Sequence, residues 1–134
     1  FGYMSCPDVC PTTLAEVKKA LTKLGSKADK VELAMITVDP GRDTGDALTL
    51  YVQSFVAGAH ALRTDDAAAL EATAKSFGAS YSVTTTADGA VEVSHSAAMY
   101  VVDPSGTIVL TWPFGINAAS IATDLDILLS RSAA

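Results

Sequence analysis

An α/β fold, with a mixed central sheet flanked by helices, is what the sequence predicts, and three observations predict it. Segments with apolar residues at helical spacing alternate with short β-rich runs through the first half of the chain. One of those runs, residues 31–38, is nearly all apolar, as a strand covered on both faces must be. Near the end, two β-rich runs joined by the turn sequence Asp103-Pro104-Ser105-Gly106 precede a last helical stripe.

Taken in order, Leu14, Val17, Leu21 and Leu24 share one face of a first helix between Pro11 and Gly25. Thr13-Leu14-Ala15-Glu16 has the form of a capping box, so this helix is predicted to start just after the two cysteines. The strand over 31–38 ends at Asp39-Pro40, because proline brings no N–H to a ladder. Leu48, Val52 and Phe55 line a second helix over 44–56, and a short strand over 59–63 follows. Thr64-Asp65-Asp66 reads as a helix start, a threonine cap followed by acidic residues, for a third helix through Leu70 and Ala74 to a stop near Gly78. Residues 81–85 and 90–93 flank Asp88-Gly89, a hairpin dipeptide, and carry no strong core signal. Strands over 98–102 and 107–112 lead to a helix capped by Asn117 and buried through Ile121, Leu125 and Leu128.

No linker or repeat interrupts this order, so residues 1–134 are read as one domain; 134 residues, 49% hydrophobic and 18% charged, suffice for a single core. No apolar run approaches the roughly 20 residues of a membrane-spanning helix. A formal charge of -6 argues against nucleic acid as a partner, since phosphate-backbone binding depends on clustered Lys and Arg. The chain begins at Phe1 rather than Met, directly before the cysteines. More chain is therefore expected upstream, including the strand that should lead into Phe1.

Both cysteines lie in Cys6-Pro7-Asp8-Val9-Cys10-Pro11. Thiolates at the head of a helix feel its positive end and its unpaired N–H groups, which makes them better nucleophiles and better metal ligands. The prolines fix the turn before any ligand arrives. Three intervening residues allow a static disulfide, a cycling dithiol or sulfurs splayed around a metal. The order of elements matches a thioredoxin-like fold best, and its usual site is the loop before the first long helix, where Cys6 and Cys10 lie. In such a sheet the loop before the strand over 98–102 approaches the cysteines. Thioredoxin keeps a cis-proline there; this chain has no proline between Ala90 and Val102, and His95 takes the place.

Cys6, Cys10 and His95 would form a soft three-ligand site suited to Cu(I), and to Cu(II) if a water or carboxylate completes the shell, with Zn(II) as the chemical competitor. Asp39, at the end of the strand over 31–38, should lie at the same sheet edge and could orient or supplement the ligands, or simply be a turn residue before Pro40. Met4 is a possible thioether donor that packing explains equally; His60 reads as structural or solvated.

The segment Phe-Gly-Tyr-Met-Ser-Cys-Pro-Asp-Val-Cys-Pro-Thr-Thr-Leu, then Thr-Val-Asp-Pro-Gly-Arg-Asp-Thr, then His95 ahead of Met-Tyr-Val-Val-Asp-Pro-Ser-Gly, closely resembles the SCO/SenC family of copper-binding assembly factors. The resemblance implies a thioredoxin-like domain that delivers copper to, or prepares the thiols of, the CuA site in cytochrome c oxidase subunit II, or that serves another cuproprotein. It implies Cys6, Cys10 and His95 as copper ligands with Asp39 close by. It also implies a location facing the periplasm or the mitochondrial intermembrane space, behind an N-terminal membrane anchor and β-hairpin that this chain lacks. A thiol-disulfide oxidoreductase using the Cys6/Cys10 dithiol, restored by a reductant of thioredoxin type, is the main alternative. A peroxidase of peroxiredoxin type and a domain with a fixed disulfide rank below it.

Overall fold

The computed structural model describes residues 1–132. The chain runs α1 (Val9–Leu24), a short 3-10 turn (Gly25–Lys30), β1 (Ala34–Ile36), α2 (Gly45–Phe55), β2 (His60–Leu62) and α3 (Ala67–Ser76). It continues through β3 (Tyr81–Thr85), β4 (Val91–His95), β5 (Met99–Val102), β6 (Ile108–Trp112) and α4 (Ala118–Ser132). The α/β alternation predicted from the sequence is present, element for element.

α1 starts at Val9, so Cys10 lies inside its first turn rather than before it. Pro11 is tolerated there because first-turn N–H groups have no intrahelical partner to lose. The Asp8 carbonyl accepts the Thr12 N–H at 3.0 Å, and its carboxylate accepts the Thr12 hydroxyl at 3.2 Å. The capping box read at Thr13–Glu16 does not form. Glu16 reaches across to α4 instead, where its Oε2 accepts the Ala118 N–H at 2.8 Å, while Asn117 accepts from Ser120 at 2.8 Å as predicted. α3 likewise begins three residues after Thr64: Asp66 is the cap, accepting from the backbones of Ala68 and Ala69, and Thr64 Oγ1 accepts the Asp66 N–H.

α1 is the hub of the packing. Its Val17 and Ala20 join Trp112, Ala118, Ile121 and Leu125 in one apolar cluster, and its Leu14 joins Met35, Leu48, Val52 and Ala59 in another. Ile121 and Leu48 have no exposed surface, and each such burial is worth about 1.5–3 kcal/mol.

The mixed central sheet predicted from the sequence is present as two strand pairs that share no ladder, its two halves. β1 and β2 pair in parallel, Ala34 opposite His60 and Ile36 opposite Leu62, and β5 and β6 pair antiparallel, Met99 opposite Trp112. β3 and β4 form a separate antiparallel hairpin. On the far edge of β1 only Gly2 is paired: its N–H donates to Ile36 at 3.0 Å, and its carbonyl accepts from Val38 at 2.9 Å. Beyond it an open, largely apolar cleft of about 700 Å³ separates the halves, lined by Ala34, Ile36, Met99, Val101, Trp112 and Leu125 among others. This is why the strand expected over 31–38 is reduced to 34–36 and is covered on one face only, with Ala34 exposed and Met35 buried. The expected lead-in strand is represented by the single bridge at Gly2.

Candidate metal centre

Three elements converge on one point. Cys6 ends the loop that leaves the Gly2 bridge, Cys10 sits in the first turn of α1, and His95 is the last residue of β4. One ligand atom from each, the two Sγ atoms and a ring nitrogen, all lie within 4.8 Å of one another. Both cysteines are free thiols and buried, at 9% and 6% exposure; His95 is half-buried. His95 was expected in a loop, but its backbone continues the ladder opposite Tyr81, which fixes its height relative to the sulfurs.

The orientation of the imidazole follows from one hydrogen bond. Nδ1 lies 2.8 Å from the Ser96 carbonyl oxygen, which can only accept, so Nδ1 carries the proton. In the neutral ring Nε2 then presents a lone pair, and it faces Cys10 Sγ at 3.6 Å. The Tyr3 ring stands edge-on to the imidazole, with centroids 5.8 Å apart and planes at 88°.

The two thiols differ in their surroundings. Burial pushes the Cys6 thiol up, but donors from the Cys10 backbone and side chain, the Asp8 N–H and the Tyr3 hydroxyl outweigh it, and the thiol ends below its ordinary value. The Cys10 N–H is the best defined of these donors, at 3.3 Å from Cys6 Sγ. Burial pushes the Cys10 thiol up to about 12, against which the Tyr3 N–H is too little, and the neighbouring Cys6 adds to the rise.

The floor beneath the thiols is a buried polar network that sequence reasoning missed. Asp43, 1% exposed, accepts the Thr37 hydroxyl at 2.7 Å and the Met4 N–H at 3.0 Å through the same oxygen. Arg63, at the end of β2, donates to the carbonyls of Asp43 at 3.0 Å and Pro40 at 2.9 Å. The only hint in the sequence is the polar run Asp-Pro-Gly-Arg-Asp-Thr itself. Gly2 was missed as well. A Cβ there would stand 2.9 Å from Met35 Cε and 3.0 Å from Cys10 Sγ, so a side chain at this position would have to displace both.

Of the residues singled out in the sequence, Cys6, Cys10 and His95 are brought together, and Asp39 is not among them. Asp39 is buried at the end of the strand segment, with its carboxylate 2.5 Å from Arg42 Nε and its N–H on Thr37 Oγ1. Met4 packs against the Leu14–Met35 cluster, and His60 lies by Glu32 on the surface.

A dithiol at the head of α1 faced by a histidine defines a thioredoxin-like domain with a soft three-atom ligand set. A family profile described as SCO1/SenC matches residues 1–130, and the chain belongs to that family. The copper-bound structure of Bradyrhizobium japonicum ScoI is similar at 35% identity, covering 95% of this chain and 80% of that one, with a TM-score of 0.82. Copper-bound Arabidopsis thaliana ScoI is similar at 29% identity, covering 98% and 81%, with a TM-score of 0.84. Protein SenC of Rhodobacter capsulatus is 33% identical over 104 residues, 78% of this chain and 47% of that protein. The chain spans about half the length of the curated relatives it matches. Relatives include mitochondrial and bacterial proteins, and no helix among the described residues is long and apolar enough to cross a membrane.

Proposed function

We propose that residues 1–134 act as one domain that carries copper, bound by Cys6 Sγ, Cys10 Sγ and His95 Nε2, and passes it to an acceptor cuproprotein. By the family resemblance that acceptor is cytochrome c oxidase subunit II, reached from the periplasm or the mitochondrial intermembrane space. The observation that carries this reading is the convergence of the three ligand atoms within 4.8 Å. Two sulfurs and one imidazole suit Cu(I), which accepts trigonal coordination. Both thiols give up a proton on loading, so Cu(I) leaves the site with one net negative charge; the imidazole adds a neutral donor and stays fixed by Ser96. Asp39 acts from outside the ligands, by steadying Thr37 and through it Asp43 and the Met4 backbone.

A second reading is favoured by the inequality of the thiols. Cys6, lowered, is the attacking thiolate on a disulfide of the acceptor; Cys10, raised, then attacks the mixed disulfide. That closes a Cys6–Cys10 disulfide, transfers two electrons to the acceptor and leaves this chain to be reduced by a thiol reductant of thioredoxin type.

His95→Ala separates the two. Titration of the reduced protein with Cu(I) should give one ion per chain for the parent and at least a hundredfold weaker binding for the variant, since losing a ligand exceeds the roughly 10–100-fold effect of losing a ligand's support. Dithiol reductase activity should largely survive. Undiminished copper affinity in His95→Ala would remove the three-ligand centre.

A further inference from the structure

The bond that orients the imidazole does not place it. Nδ1 donates to the carbonyl of Ser96, the very next residue, so that bond travels with the β3–β4 hairpin and does not set the distance to the sulfurs. Along β4 the half-buried Val91, Val93 and His95 alternate with the exposed Glu92 and Ser94, which puts the imidazole on the inner face. There it meets the Tyr3 ring, with centroids 5.8 Å apart and planes at 88°. Tyr3 is held as the hairpin is not. On one side of it the Gly2 N–H and carbonyl are paired with Ile36 and Val38; on the other the Met4 N–H is fixed at 3.0 Å on the buried Asp43 carboxylate. Its own carbonyl accepts the Cys6 N–H at 3.3 Å, so the ring stands on the same short loop that carries the first thiol.

We propose that Tyr3 is a positioning residue: its ring braces the His95 imidazole and so fixes the hairpin-borne ligand against Cys6 and Cys10. This rests on the copper reading above. Perpendicular rings at this separation attract through the positive edge of one and the negative face of the other, and the attraction weakens if either ring tilts or slides. The two halves of the centre are thereby joined by a contact that needs no metal. A ligand already in place has less freedom to lose on loading, so the brace strengthens binding without contributing a donor atom. An aliphatic side chain can fill the same space but offers neither edge nor face.

Comparison of Tyr3→Leu with Tyr3→Phe isolates the ring, because both lack the hydroxyl. In the metal-free protein, hydrogen exchange of the hairpin amides, among them the Ser96 N–H that donates to Ser80 at 2.8 Å, should be about threefold to tenfold faster in Tyr3→Leu than in Tyr3→Phe. Cu(I) affinity should be lower in Tyr3→Leu by a similar factor. In the His95→Ala background the two variants should bind Cu(I) equally, within about twofold, since no imidazole remains to be braced. Equal exchange in the two variants, or equal affinity while His95 is present, would overturn the inference and leave the copper reading standing. A gap of the same size between the variants without His95 would overturn it as well, by showing that the ring serves the thiols or the fold at large. Failure of the parent to bind one copper ion removes the copper reading itself, and the ligand role of the brace with it.

Discussion

The two halves of the metal centre are held by different kinds of structure. The thiol half is buried and pinned from several sides, by the Gly2 bridge to β1, by Asp43 on the Met4 backbone and by the first turn of α1. The imidazole half hangs from the β3–β4 hairpin, most of whose residues are exposed and whose paired side chains include Ser82 and Ser94, 2.7 Å apart on the surface. An exposed polar hairpin opens at lower free energy than a packed core. Of the three candidate ligands, the imidazole is thus the one whose supporting structure can open without disturbing the packed core.

The largest expected effect that sharpens this contrast is on pH. Burial pushes the Cys10 thiol up to about 12, so at neutral pH a metal would have to displace its proton. Each unit of rising pH should therefore strengthen apparent Cu(I) affinity at least tenfold, and each unit of falling pH should weaken it equally. The slope belongs to the thiol half wherever the imidazole is neutral, so competition titrations from about pH 8 to 9 should give the same slope for His95→Ala at its lower affinity. A flat profile would mean that Cys10 is already ionised.

Two substitutions probe the floor of the thiol half. Asp43→Ala leaves the Thr37 hydroxyl and the Met4 N–H without their shared acceptor and should lower stability by about 3 kcal/mol in urea denaturation. Gly2→Ala forces a methyl group against Met35 and Cys10 Sγ, and a destabilisation of about 1–3 kcal/mol is expected, with copper affinity reduced alongside. Normal copper binding by Gly2→Ala would show that the thiol half yields more readily than its packing implies. The smallest effect belongs to the hairpin tip: Gly89→Ala, at φ 86°, should cost about 1 kcal/mol locally and leave copper affinity within twofold of the parent.

Much of this was legible in the sequence, and for physical reasons. The apolar periods of α1, α2 and α4 announce themselves because burial imposes them, and Asp88-Gly89 and Asp103–Gly106 mark turns because backbone geometry demands those residues. The pair Cys6 and Cys10 is legible as a site by spacing alone, but His95 is legible only through the fold, since 85 residues separate it from Cys10. Interactions between distant segments were the ones misread. Glu16 looks like a local capping residue and instead serves α4, and nothing in one dimension says that Gly2 must clear a sulfur or that Asp43 must hold Met4. Strand 31–38 was read too long because its apolar run reports what it could pair with, whereas only Gly2 is paired along that edge.

Arg63 carries a consequence for the order in which the protein is made. Its guanidinium secures the carbonyls of Pro40 and Asp43, and Asp43 in turn secures Met4. A nascent chain that has emerged only as far as α2 already displays both sulfurs, yet the guanidinium that ties down the Pro40–Asp43 loop arrives with the end of β2, and His95 arrives later still. The three candidate ligand atoms therefore come together only after the closure over the 85 residues between Cys10 and His95, and until then the two thiols stand without the imidazole.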